Sequence, residues 1–214
     1  MRQILCYGDS NTWGTDPADD TRRHDWSARW PGVLQRELGS DVHVVEDGLG
    51  GRTTVYDDPL LPHRNGKDLI GVALELHAPL DLVVLMLGTN DISYAHLTAA
   101  DAAAGVAELT HLVLRSAAGP AGPDGPAPHV LLVCPPPVGP FHDNRRRELW
   151  AGADVKSRAL PHAFARVASE LGVPWLDAGE LIETSPLDGW HLEASQHELL
   201  GVAVAARVRD LLGG

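Results

Sequence analysis

The sequence predicts an α/β fold on a parallel sheet, and three observations lead there. First, short apolar runs recur along the 214 residues: Ile4 to Tyr7, Val42 to Val45, Leu80 to Leu87, Val130 to Cys134 and, more weakly, Val173 to Leu176. Second, these runs are continuous rather than alternating, the pattern of strands covered on both faces. Third, stretches with apolar residues at helical spacing separate them. At ~150 residues per domain the length allows between one and two domains. One unbroken rhythm favours a single domain over 1–214. A chain of this size buries roughly 70% of its unfolded surface or more, enough for a core without staples.

Each helix has its own signal. Trp30 to Leu38 sets Trp30, Val33, Leu34 and Leu38 near helical spacing, with Gly39 as a natural stop. Lys67 to His77, Ala99 to Ala118 and Trp150 to Leu171 read likewise, and Pro161 is expected to start or kink the last of these. Glu193 to Leu212 is a final helix that docks the C-terminus onto the sheet. The Gly- and Pro-rich stretch Gly119 to Pro128 reads as an exposed connector between a helix and the fourth strand. Two long proline-bearing segments, Tyr56 to Asn65 and Pro135 to Arg147, are of the kind that forms lids or subunit contacts. Arg145, Arg146 and Arg147 are most simply a solvated helix start or a contact with an acidic neighbour.

Composition excludes several classes of function. Lys plus Arg is 17 and Asp plus Glu is 29, a net charge of −12 that repels nucleic acid and anionic membranes on average. No apolar run reaches the ~18 residues of a membrane span. Met1 to Leu5 runs straight into Cys6-Tyr7-Gly8-Asp9, leaving no room for a secretory apolar core. Cys6 and Cys134 sit inside apolar runs, as small buried hydrophobes suited to a reducing compartment, so a cytoplasmic protein is expected. Neither CxxC nor HExxH spacing occurs, which argues against a metal site.

In an open parallel sheet, ligands bind where the loops after the strand ends converge. Gly8-Asp9-Ser10-Asn11-Thr12-Trp13-Gly14 follows the first strand, Asp47 to Thr54 the second, and Gly88-Thr89-Asn90-Asp91 the third. Asp188-Gly189-Trp190-His191 stands just before the last helix. These four blocks supply the parts of a serine hydrolase. Ser10 is a hydroxyl on a tight turn, and a hydroxyl is a poor nucleophile until a base takes its proton. His191 is the candidate base, and Asp188 the carboxylate that holds its tautomer. The backbone N–H groups of Ser10 and Gly51 and the side-chain amide of Asn90 are candidate oxyanion donors. Taken singly, each block also has a plainer reading: turn chemistry for Gly8 to Ser10 and Gly48 to Gly51, a helix cap for Asn90 or Asp91, and a surface pair for Asp188 and His191. Their conjunction at one sheet edge carries the argument. The Gly-x-Ser-x-Gly elbow is absent, because Thr12 stands at its last position. Neither GxGxxG nor a Gly-Lys-Ser/Thr loop occurs, so a nucleotide-binding module is the weaker alternative.

Over essentially the whole chain, these blocks resemble the SGNH hydrolase superfamily, also called GDSL esterases, and most nearly its arylesterase/acyltransferase branch. The resemblance implies a flavodoxin-like three-layer α/β/α sandwich with a central, mainly five-stranded parallel sheet. It implies Ser10 as nucleophile, Asp188 and His191 as its partners, and Ser10, Gly51 and Asn90 as the oxyanion hole. A small-molecule ester substrate follows, with water or an alcohol as acceptor, no cofactor or metal, and a homo-oligomeric state. Deacylation of a carbohydrate or thioester, and a silent binding module, are the alternatives. Two residues depart from the branch: Gly51, where members also carry alanine, and Asn11, where leucine is common. Asn11 is expected to make the rim of the site more polar and to favour hydrolysis. Asn11, Trp13 and Trp190, beside the nucleophile and the base, are candidate substrate contacts.

Overall fold

A computed structural model describes residues 1–142 and 144–213, and side chains except those of Pro123, Asn144, Arg145 and Arg146. In chain order the elements are β1 (Arg2–Gly8), α1 (Ser10–Trp13), β2 (Thr15–Asp16), β3 (Asp19–Arg23), α2 (Trp30–Leu38), β4 (Val42–Gly48) and α3 (Gly66–His77). They continue with β5 (Leu82–Met86), α4 (Ala99–Leu114), β6 (His129–Cys134), α5 (Asn144–Leu149), α6 (Ala153–Leu171), β7 (Trp175–Asp177) and α7 (Ala194–Leu212). Five strands form one sheet in the order β4-β1-β5-β6-β7. All of its pairs are parallel, with Ile4 beside both Val44 and Leu82. This is the doubly wound order whose direction reverses between β1 and β5 and opens a crevice at their carboxyl ends.

The continuous apolar strands have a simple cause. Successive side chains point to opposite faces, and both faces are covered. Leu5, Tyr7, Val83, Leu85, Val130, Leu132 and Cys134 pack with α3, α4 and α6. Ile4, Cys6, Val44, Leu82, Val84, Met86, Leu131 and Val133 pack with α2 and α7. Cys6 and Cys134 are therefore buried in different layers, and both are free thiols.

Several boundaries differ from expectation for local reasons. The helix begins at Ala153 rather than Trp150, because Gly152 takes a left-handed conformation at φ 78°. It then passes through Pro161 without ending, held by burial of Ala153, Leu160, Phe164 and Val167; packing of an apolar face outweighs local propensity. β7 starts at Trp175, after Pro174, which has no N–H for a ladder. The connector contains one 3₁₀ turn at Gly122–Asp124. The β2–β3 hairpin was not foreseen, since Asp19 to Arg23 is polar and exposed throughout and carries no alternation. In the 135–147 segment, Arg147 donates to the carbonyls of Phe141 and His142. The solvation expected of Arg145 and Arg146 lies outside the described residues. Among the described residues no helix is long and apolar enough to cross a membrane.

Candidate active site

Ser10 opens α1 immediately after β1. Asp9 caps that helix, its carboxylate accepting from Asn11 N–H at 2.9 Å. The chain must turn sharply here, and Gly8 permits it: a Cβ would fall 2.0 Å from Thr12 Oγ1. Ser10 thus sits at the sheet end with its backbone N–H among the unpaired donors of a helix start.

The second block follows β4. Arg52 N–H donates to Leu49 C=O at 3.0 Å and closes a turn in which Gly51 has φ 77°. That left-handed conformation strains any residue with a Cβ, and a Cβ would also approach Leu61 Cδ1 to 3.3 Å. Glycine at this position is therefore explained by geometry.

The third block follows β5. Asn90 Nδ2 donates to Arg52 C=O at 2.9 Å and lies 3.4 Å from Asp9 Oδ2. Asp91 is fully buried and accepts from Thr54 through both N–H and hydroxyl. Neither residue caps α4, because Thr98 does so in a reciprocal capping box with Asp101. Burial pushes the carboxyls of Asp9 and Asp91 up to about 6, against the lowering effect of the hydrogen bonds each accepts.

The fourth block lies between β7 and α7. Asp188 and His191 are 4% and 6% exposed, and His191 Nδ1 lies 2.6 Å from Asp188 Oδ2. Asp188 Oδ1 also accepts from the N–H groups of Trp190 (3.1 Å) and His191 (3.0 Å). Burial alone would raise its carboxyl, but these donors and the His191 charge prevail and hold it below the usual range. A carboxylate is acceptor only, so Nδ1 carries the proton and Nε2 is left with the basic lone pair.

The four blocks converge. Asn11, next to Ser10, donates from Nδ2 to Trp190 C=O at 2.9 Å, which sets the Ser10 turn beside the His191 loop. The side chain of Asn11 is turned inward and only 3% exposed, so the polar rim expected from it is absent; its Oδ1 finds no partner among the described residues. Trp190 stacks on Trp150 (centroids 4.9 Å, planes 4° apart), with Phe141 at 5.8 Å and the His191 ring edge-on at 5.7 Å. Trp13 lies beneath the Arg23 guanidinium at 4.5 Å. Sequence reasoning did not single out Arg52, Phe141 or Trp150. A lone arginine in a glycine-rich loop was the available signal for the first, and nothing local marked the other two. Among the described residues, no three His, Cys, Asp or Glu side chains are grouped to hold a metal.

Comparison with known proteins gives a consistent outcome. The model of the GDSL-like lipase/acylhydrolase family matches residues 6–199. The chain is 42% identical to an aryl esterase of M. smegmatis, with a TM-score of 0.93 over 99% of this chain and 100% of that one. It is 40% identical to a carbohydrate acetylesterase from Sinorhizobium meliloti, again at 0.93 over 99% and 100%. A lipase/acylhydrolase from Enterococcus faecalis, 21% identical, matches at 0.68 over 98% and 96% and shares the fold. No curated protein matches.

Proposed function

We propose that this chain, which belongs to the GDSL-like lipase/acylhydrolase family and so among ester-hydrolysing enzymes, hydrolyses small acyl or aryl esters through an acyl-enzyme on Ser10. The observation that carries the reading is the buried Asp188–His191 pair, joined to the Ser10 turn through Asn11 and Trp190. Ser10 Oγ attacks the ester carbonyl carbon as His191 Nε2 takes the hydroxyl proton. Asp188 stabilises the imidazolium without itself being protonated, which its lowered pKa supports. The negative charge on the former carbonyl oxygen is met by Ser10 N–H, Gly51 N–H and Asn90 Nδ2. Collapse breaks the bond to the alcohol, which leaves with the proton from His191. Water, or a second alcohol, then gives its proton to His191 and attacks the acyl-enzyme, regenerating Ser10. Trp13 and Trp190 would flank the acyl or alcohol group, and Asn11 would act through its hold on Trp190. The reading includes a cytoplasmic homo-oligomer.

A second reading, deacetylation of a carbohydrate, rests on the 40% identical neighbour from S. meliloti. The same Ser10 chemistry serves both, and only the leaving alcohol differs. The deciding experiment is intact mass after incubation with a fluorophosphonate, wild type beside Ser10→Ala, with release from a short-chain aryl ester and from an acetylated sugar followed in parallel. A single adduct on wild type only, with turnover lost in Ser10→Ala, is expected. A folded wild type with neither adduct nor turnover would make the protein a binding module.

A further inference from the structure

Arg52 is 4% exposed, yet its guanidinium reaches two different strand ends. Nη1 donates to Gly8 C=O at 2.9 Å and Asp47 C=O at 2.6 Å, and Nη2 donates to Asp47 Oδ1 at 2.7 Å. The guanidinium also lies 4.0 Å over the Tyr7 ring. Gly8 C=O, two residues before Ser10, accepts a second bond from Leu49 N–H at 3.1 Å. The side chain therefore ties the end of β1, which delivers Ser10, to the end of β4.

The main chain of the same residue makes the remaining connections. Its N–H closes the turn that presents Gly51, and its C=O accepts one hydrogen of the Asn90 amide at 2.9 Å. The contact of that amide with Asp9 Oδ2 is long, at 3.4 Å, which leaves its second hydrogen available to a developing oxyanion. Each of the three candidate oxyanion donors comes from a different strand end, and Arg52 touches all three segments. We infer that Arg52 is a positioning residue that holds Ser10 N–H, Gly51 N–H and Asn90 Nδ2 in one oxyanion-binding geometry. The inference rests on the acyl-enzyme reading above. Only the planar fork of an arginine satisfies two carbonyls and a carboxylate together; lysine offers a point charge on a flexible stem.

A double-mutant cycle tests it, because residues that act through one another give non-additive losses. Arg52→Lys, Asn90→Ala and the double variant are compared for kcat and KM on a short-chain aryl ester. Asn90→Ala should lower kcat ~10²–10³-fold, as for loss of one oxyanion donor. Arg52→Lys should lower kcat by about 10–10²-fold, the scale of a misplacement near 1 Å, with KM little changed. In the Asn90→Ala background, Arg52→Lys should cost clearly less than it does in wild type, because the part of its loss that acts through Asn90 is already gone. Unchanged kcat in Arg52→Lys, or losses that add in full, would overturn the inference. Unchanged kcat in Asn90→Ala would instead remove the oxyanion assignment beneath it. Should Arg52→Lys fail to fold, Asp47→Asn, which takes the carboxylate from Nη2 and leaves the arginine in place, goes through the same cycle under the same criteria.

Discussion

The proposed oxyanion donors hang on the ends of β1, β4 and β5, three adjacent strands, whereas Asp188 and His191 reach the same edge on a loop that leaves edge strand β7. The strand-end side is braced by buried ionic and polar groups, with Arg52 bonded to Gly8 and Asp47 and Asp91 bonded to Thr54. The loop side is held by hydrogen bonds to its main-chain carbonyls, one from within the loop and two from elsewhere in the chain. Gly139 N–H donates to Gly189 C=O at 2.6 Å, Ser185 N–H to His191 C=O at 2.7 Å, and Asn11 to Trp190 C=O. Two nearly buried aspartates show what this difference does. Asp188 meets three donors and a potential cation, so its charge is favoured. Asp9 meets one short N–H bond, and although the charges of His191 and Arg52 also lower its carboxyl, burial prevails with Asp91 adding to it, so its proton is retained up to about 6. Burial therefore does not by itself decide a carboxylate's charge; the number and kind of its donors do.

The severest break in this comparison is Asp188→Asn. An amide in that position would hold the imidazole in the wrong tautomer, and kcat should fall by up to ~10⁴. Steady-state kinetics on folded protein checks it, and a negligible loss would leave a Ser10–His191 dyad with Asp188 structural. Next is the link between the two sides. Asn11→Leu removes the bond to Trp190 but also the unpartnered Oδ1, so stability should change little while kcat drops by about tenfold through misplacement. Denaturant melts beside kinetics separate the two effects; an unchanged kcat would show that other contacts set the distance between the Ser10 turn and His191.

The smallest effect concerns stability and its pH dependence. Asp9 titrates at about 6 when folded and about 3.9 when unfolded, so the folded state holds a proton that the unfolded state releases between those values. Its favourable contribution is present below ~3.9 and is lost as pH rises through about 6. Asp9→Asn removes that dependence. Relative to wild type it should gain about 2 kcal/mol on going from pH 4 to pH 7, read as the difference in urea unfolding free energy. Asp91 carries the same sign and stays in both proteins. His197, held down to about 3 by burial first and by neighbouring His24, His191 and Arg29, has the opposite sign and also cancels in the difference. A constant difference across this range would show that Asp9 is ionised throughout.

Much of this molecule was legible because period and position are local properties. Four apolar runs, with a weaker fifth at Val173 to Leu176, read as strands of a covered sheet, and helix α2 has the predicted bounds Trp30–Leu38 because Gly39 stops it. Gly8 to Trp13 and Gly88 to Asp91 were readable as site loops because each directly follows such a run. The hairpin Asp19–Arg23 and the passage of α6 through Pro161 were not, since exposed polar residues carry no periodicity and a proline reads as a break until its neighbours' burial is known.

By itself, then, the sequence determined the α/β class, the strand ends that bear Ser10 and Asn90, and the Asp188–His191 spacing that lets one short turn bring two side chains together. Only the tertiary structure decided that Asn11 faces inward to Trp190, that Trp150 stacks on Trp190, and that Arg52 joins three strand ends. Those contacts span separations of up to 179 residues. They arise from strand order and layer packing, which no local pattern encodes.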